Sequence, residues 1–323
     1  MQIGPYVLSA LALGVVVWYL SRSDLLRELE WQSIEWRYAW LVVLAEGLAF
    51  AFRGLALAVY VEHLGPRLNF LEWFGLSIMS TVSNLLIPVS GGMMARAGYL
   101  KARYRFPVSY FSALLAASYL MIFLVSGLSG LIILGVVWVI HGAAVEWLAV
   151  VLLVGMAVGP LVLMLIPVER IPLQPDRRII RWLRSALEGW GQIRANRSLL
   201  LKQLAVITLQ QLVQAASLFF SLRMIQRPVP YTSTLLMGVL ANLATFVRIT
   251  PGALGIREGV TGLAAELVGL SAAQGLSAAL VSRLGQTAII VVLGPVFAFV
   301  LARYAQLGGT PGPDGTPPLD EAH

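Results

Sequence analysis

Arg248-Ile249-Thr250-Pro251-Gly252-Ala253-Leu254-Gly255-Ile256-Arg257-Glu258 sets a proline and two glycines between arginines inside a hydrophobic segment. Proline removes a backbone donor and its ring collides with the preceding turn, while glycine lets the chain bend, so a helix through this stretch must break. The first half of the chain repeats the pattern: Asn84-Leu85-Leu86-Ile87-Pro88-Val89-Ser90-Gly91-Gly92, followed by Arg96. Asn242 stands ahead of the second break as Asn84 opens the first.

Outside these two breaks the chain is written for lipid. Of 323 residues 58% are hydrophobic and 12% charged, against about a quarter charged in an ordinary soluble domain. The charges are also absent in blocks: Phe106 to Val145, Trp147 to Val168 and Gln203 to Leu222 contain no Asp, Glu, Lys or Arg. Such runs reach the roughly 20 residues that cross a hydrocarbon core. The reading is an all-α, polytopic integral membrane protein. Full spans are expected at about 3–20, 38–62, 107–139, 145–166, 199–222 and 274–302, with broken segments at about 71–103 and 230–270. The run 107–139 is longer than one straight span needs, so it is expected to tilt, protrude or break near Gly127 and Gly130. Ile3 to Leu20 lacks a basic flank and a small-x-small cleavage site, and reads as a retained first helix.

Hydrophilic text is confined to a few places. Residues 21–37 mix leucines and tryptophans with charges, as in a helix lying in the interface. Arg96 to Arg105 and the segment 167–198 are basic, the latter with Trp182, Leu187, Trp190 and Ile193 at helical spacing. Flanking membrane spans, such clusters mark cytoplasmic loops and the cytoplasmic (inner) membrane rather than a nucleic-acid surface. The expected organisation is one transmembrane domain over 1–303. Its halves, about 38–140 and 199–303, are joined by the basic cytoplasmic segment 167–198, and 304–323 form a disordered, Gly/Pro-rich tail. The net charge is +7.

Several chemistries drop out. There is no cysteine, and His63, His141 and His323 are far apart, so no thiolate or paired-histidine metal site is expected and no cofactor is implied. No Walker loop is present, so any energy source is external or absent. No catalytic residue is assigned, and the chain reads as a non-enzyme.

The residues that do not belong in lipid carry the functional reading. Irregular backbone at membrane depth is tolerated where it is buried in protein or lines a watery cavity. Paired breaks in corresponding positions of two halves point to a transport site. Half-helices restarting after Gly91-Gly92 and after Gly252 would offer free N–H groups and a positive dipole end to an anion. The candidate substrate-binding set is therefore Arg53, Asn84, Pro88, Gly92, Arg96, Asn242, Arg248, Pro251, Gly255, Arg257 and Glu258. Glu46, Glu266 and Arg283 are candidates for coupling or for structure, since an ionisable group inside the membrane costs at least ~2.5 kcal/mol to insert. Glu46 and Arg53, seven residues apart, share a helix face but are too distant for a direct pair. The blander alternative is that each break is a mere kink and each embedded charge only joins helices.

Topology follows from the breaks. If both are re-entrant, the halves are inverted copies, the first broken segment entering from the cytoplasm and the second from outside. Counting Arg and Lys alone slightly favours a full crossing of the first segment, but paired breaks in inverted repeats favour re-entrance.

At the Asn84/Pro88/Gly92/Arg96 segment, at Pro251 to Glu258 and at Arg53, the chain resembles the transmembrane region of lysylphosphatidylglycerol synthases and their stand-alone flippase-like relatives. The likeness covers nearly everything up to about residue 302. It implies a lipid-translocating fold serving aminoacylated phospholipids, envelope lipids or polyprenyl-linked sugars. Two departures stand out. No aminoacyltransferase domain follows the last helix, so a complete synthase is not expected. Where many relatives carry acidic residues after the first motif, this chain has Ser118-Tyr119-Leu120-Met121 and no acid through Val145. The expected function is a flippase or scramblase-like transporter of a phosphate-headed or polyprenyl-linked lipid. The partners are anionic membrane lipids and a separate lipid synthase or glycosyltransferase. The alternatives are an accessory or anchor for an envelope lipid or glycan enzyme, and an intramembrane lipid-phosphate enzyme.

Overall fold

The computed structural model describes residues 34–87, 91–141, 146–165, 190–191, 193–245 and 250–306. The expected first helix and interfacial segment, most of the basic segment 167–198, Pro88, Arg248 and the end of the tail lie outside the described residues. The rest is helical, with no strand among the described residues. In chain order come α1 (Ala39–His63, entered through a 3-10 turn at Trp36–Tyr38), α2 (Phe70–Leu86), α3 (Gly91–Tyr104), α4 (Val108–His141) and α5 (Trp147–Leu165). They are followed by α6 (Arg197–Met224), α7 (Tyr231–Ala241), α8 (Ile256–Glu266) and α9 (Ala272–Gln306). Five of these helices, α1, α4, α5, α6 and α9, are long and apolar enough to cross a membrane. They match the five expected spans that fall within the described residues, so the chain is a polytopic all-α membrane protein.

The short helices make two antiparallel hairpins. In the first, the Asn69 side chain accepts from the Glu72 N–H and Glu72 accepts from the Asn69 N–H, a reciprocal cap that fixes the start of α2. Glu72 then collects the Tyr99 hydroxyl at 2.6 Å and the Tyr104 hydroxyl at 2.8 Å from the end of α3, which closes the base of the hairpin. The base shares one end of the bundle with the end of α1 and the approach to α6, where Asn196 and His63 lie 3.3 Å apart, and with the end of α5, whose Met164 carbonyl accepts from Arg194. Tyr99, Phe106, Phe111, Trp190 and Leu301 pack together there. The second hairpin, α7 and α8, opens at the opposite end, where Leu222, Leu236 and Ala265 pack together and the Glu35 N–H bonds to the Met224 carbonyl. Each broken segment thus starts and finishes at one end of the bundle, and the two ends are opposite.

Association of helices in lipid depends on close packing rather than on burial from water, so small residues set the interfaces. Of the alternatives expected for the long run 107–139, the break is not the one found. α4 runs without interruption through Gly127 and Gly130, which instead admit α5: a Cβ added at Gly127 would stand 2.4 Å from the Ala157 nitrogen, and one at Gly130 2.3 Å from Leu153 Cδ2. Valine at Gly127 is expected to lower the melting midpoint in detergent by several degrees, from overpacking of about 1–3 kcal/mol. Alanine at Gly155, where an added Cβ meets nothing within 4 Å, is expected to leave the midpoint unchanged or raise it. Equal midpoints for both variants would show that the α4–α5 contact is looser than this.

Candidate functional site

The tips of the two hairpins meet in the middle of the bundle. At the first tip α3 lies so close to α2 that a Cβ on Gly91 would fall 2.1 Å from the Ser83 carbonyl oxygen and one on Gly92 2.4 Å from that of Ser80. Only glycine fits there. At the second tip a 3-10 turn at Asn242–Thr245 and another at Pro251–Ala253 precede α8. Gly252 has φ 61°, Gly255 φ 80° and Ala253 φ 53°, the last a left-handed conformation that costs a non-glycine residue about 1–2 kcal/mol. Ala253 is held by its N–H on the Thr250 carbonyl and by the Thr250 hydroxyl on the Leu254 carbonyl, both at 3.0 Å. A Cβ on Gly252 would touch Leu85 of the first tip at 2.6 Å.

Arg283 of α9 fixes the second tip. Its Nη1 and Nη2 donate to the Gly252 carbonyl at 3.1 and 3.2 Å, and its Nε donates to Glu258 Oε1 in an ion pair. Glu258 Oε2 accepts from the Gly255 N–H at 2.8 Å. At the first tip Asn84 Oδ1 accepts from the Gly92 N–H at 2.7 Å. These two bonds take one N–H at each restart, so neither half-helix has the wholly free first turn expected of it. In each case the acceptor is a side chain of the same hairpin.

Where the tips meet, a cavity of about 500 Å³ opens, within the size range of sites that take whole small ligands. Arg53 of α1, Arg96 of α3, Arg257 of α8 and Arg283 of α9 all line it, and among the described lining residues there is no carboxylate. Asn84 and Asn242 lie on its wall, with Gly92 directly behind Asn84 and Gly252 on the wall beside Arg283. The structure therefore brings together Arg53, Asn84, Arg96, Asn242 and Arg257 from the expected set and adds Arg283. Gly255 serves as the cap position of α8, and Pro251 sits in the 3-10 turn before it.

The acids stand off the wall. Glu258 is 2% exposed and sits behind Arg283. Glu46, 1% exposed, accepts the Ser217 hydroxyl at 2.7 Å and the Ser282 hydroxyl at 2.6 Å on one oxygen, joining α1, α6 and α9. Glu266 is exposed at the end of α8. As expected from their spacing, Glu46 and Arg53 do not pair with each other: Arg53 lies over the Phe50 ring, 5.1 Å from its centroid.

Reading formal charges overlooked the amides. Gln210, Gln211 and Gln214 of α6 and Gln286 of α9 also line the cavity, with Ser118 and Tyr119 of α4. The signal was present in the charge-free run Gln203 to Leu222, where four glutamines, Gln203, Gln210, Gln211 and Gln214, fall on one side of the helix.

The family model described as Lysylphosphatidylglycerol synthase TM region matches residues 2–294 of the chain. No curated protein matches it.

Proposed function

The chain belongs to the lysylphosphatidylglycerol synthase transmembrane-region family, and from that premise we propose that it moves a phosphate-headed lipid, a phospholipid or a polyprenyl-linked lipid, between the leaflets of the cytoplasmic membrane. The observation that carries this reading is a central membrane cavity with four arginines on its wall and no carboxylate among its described lining residues. Embedded cations are costly and mark substrate or ion paths, and guanidinium forks match phosphate oxygens two at a time. The apolar outer faces leave acyl or prenyl tails in the bilayer while the headgroup crosses through the polar centre. Nothing in this path calls for a bond to be made or broken, so the protein is read as a transporter rather than an enzyme. A passive anchor for a lipid synthase or glycosyltransferase would not call for four arginines on the wall of one cavity.

In this proposal both hairpins are re-entrant, and the two halves, α1 to α4 and α6 to α9, are inverted copies about the meeting tips. The end that holds Arg67, Lys101, Arg103, Arg105, Arg194, Arg197 and Lys202 faces the cytoplasm. Because the chain has no native cysteine, His63→Cys and Lys101→Cys are expected to react with an impermeant thiol reagent from the cytoplasmic side, and Arg227→Cys from the other. Labelling of positions 63 and 101 from opposite sides would exclude re-entrance of the first hairpin.

Transport itself is tested in liposomes carrying a fluorescent phospholipid or polyprenyl phosphate, with an impermeant quencher added outside. The expected result is a loss of the protected inner-leaflet fraction relative to protein-free vesicles, without ATP. If protein and empty vesicles protect the same fraction for several phosphate-headed lipids, with and without a proton gradient, the anchor reading replaces this one.

A further inference from the structure

Glu46 joins the two halves of the bundle through a ring of three buried oxygens. Its Oε1 lies 2.7 Å from Ser217 Oγ of α6 and 2.6 Å from Ser282 Oγ of α9, and the two hydroxyl oxygens lie 2.9 Å from each other. Every side of this triangle has hydrogen-bond length, so three protons are needed to fill it. Each serine brings one. The third can come only from the carboxyl group, and with a proton on Oε1 all three sides are filled, in either sense round the ring. The second oxygen argues the same way: Glu46 Oε2 is buried and meets no donor among the described residues. An ionised carboxylate calls for donors on both oxygens, and a buried charge left unmatched is strongly unfavourable. A neutral acid leaves only a carbonyl oxygen short of a partner, which proteins tolerate better.

The elements packed on Glu46 bring little charge to it. α6 carries none from Gln203 to Leu222. On α9 the residue after Ser282 is Arg283, which is paired with Glu258 and bonded to the Gly252 carbonyl. On α1 itself Arg53 stands two turns away, over the Phe50 ring. A route for a proton lies beside the ring. Ser282 lines a second cavity of about 20 Å³, with Gln214, Asn242, Arg257, Glu258 and Arg283 also on its wall. That is room for one water, with more than the two polar partners it needs. Gln214, Asn242, Arg257 and Arg283 line the central cavity too, so the small cavity connects the ring to the headgroup site. Resting on the transport reading above, we propose that Glu46 is a proton-binding site that couples lipid movement to a proton. In the arrangement seen the acid is neutral and ties α1 of the first half to α6 and α9 of the second. When the proton leaves to water through the small cavity, the carboxylate competes with Glu258 for Arg283 and loosens its hold on the second tip. Return of the proton restores the ring.

Two measurements on the full-length protein test this. The first is the infrared difference between wild type and Glu46→Gln in detergent at neutral pH. A protonated-carboxyl carbonyl band that moves to lower frequency in heavy water is expected in wild type and not in the variant. Ser217→Ala removes one partner from the ring and is expected to shift the same band, whether or not Glu46→Gln folds. The second measurement uses proteoliposomes carrying fluorescent phosphatidylglycerol, with an imposed pH gradient and the protected fraction read at long times. For one proton per lipid, a gradient of one pH unit is expected to change the leaflet ratio by up to about tenfold beyond protein-free vesicles, in a sense that reverses with the gradient. Glu46→Gln keeps a donor and an acceptor in the ring, so its melting midpoint is expected to stay within a few degrees of wild type while the response to the gradient is lost. Absence of the band, or a band that Ser217→Ala leaves unmoved, overturns the inference and leaves the transport reading standing. So does an equal response to the gradient in transporting wild type and Glu46→Gln. No transport of any phosphate-headed lipid by wild type, with or without a gradient, overturns the transport reading and the coupling with it.

Discussion

Alanine in place of Arg257 is expected to reduce lipid transport in reconstituted vesicles at least tenfold, while alanine in place of Arg303 leaves the rate within twofold of wild type. Both residues are arginines of the second half, so the comparison isolates position. Arg257 stands in the first turn of α8, on the wall of the central cavity, while Arg303 is exposed near the end of α9. A hydrogen bond to a charged group contributes about 1.5–3 kcal/mol, and each 1.4 kcal/mol is a tenfold change in affinity. Loss of the Arg257 fork is therefore expected to weaken headgroup capture by one to two orders of magnitude. Lysine at 257 restores the charge without the planar pair of donors, so partial recovery is expected. The measurement is the initial rate of quenching in vesicles matched for protein content. Wild-type rates for Arg257→Ala would remove this residue from the site and weaken the case for phosphate recognition at the second tip.

The sequence shows most readily what depends on one segment alone. The expected spans at about 38–62 and 145–166 differ from Ala39–His63 and Trp147–Leu165 by a residue or two, because an apolar run bounded by polar residues is a local property. The two breaks were legible for the same reason, since proline and glycine act on the backbone they occupy. Properties that require a partner were harder to read. Gly127 reads as a weak point in an isolated helix and proves to be a place where the α5 backbone packs close, which only the neighbour's position reveals. Free N–H groups at the helix restarts were a fair inference from helix geometry, yet the Asn84 and Glu258 side chains claim one at each tip. Glu46 was correctly set apart from Arg53, but its partners, Ser217 and Ser282, lie 171 and 236 residues away. The glutamines were passed over because counting formal charges treats an amide as apolar filling, although it needs a hydrogen-bond partner nearly as much.

Glutamine substitutions at Glu258 and Arg283 are expected to reveal the strongest energetic coupling in the second half. The Glu258 side chain is 3% exposed and that of Arg283 15%, and they form one ion pair beside the strained turn at Ala253. Removing one partner of a buried pair costs about 3–5 kcal/mol, because the other charge is left unmatched in low dielectric. Arg283→Gln is expected to be the more damaging single change. It strands a nearly inaccessible carboxylate and also removes both donors to the Gly252 carbonyl. Glu258→Gln should cost less, since the remaining guanidinium faces the cavity and keeps its bonds to Gly252, and a glutamine oxygen can still accept from the Gly255 N–H. The double glutamine variant holds no unpaired charge and is expected to be more stable than either single variant, though below wild type. Denaturant or thermal midpoints in detergent, combined as a double-mutant cycle, give the coupling directly, and additive losses would show that the pair does not act as a unit. Transport by the double variant separates stability from recognition. With the fold largely restored and one cavity arginine gone, a rate still far below wild type would assign Arg283 to headgroup binding, and a rate near wild type would assign it to holding the second tip in place.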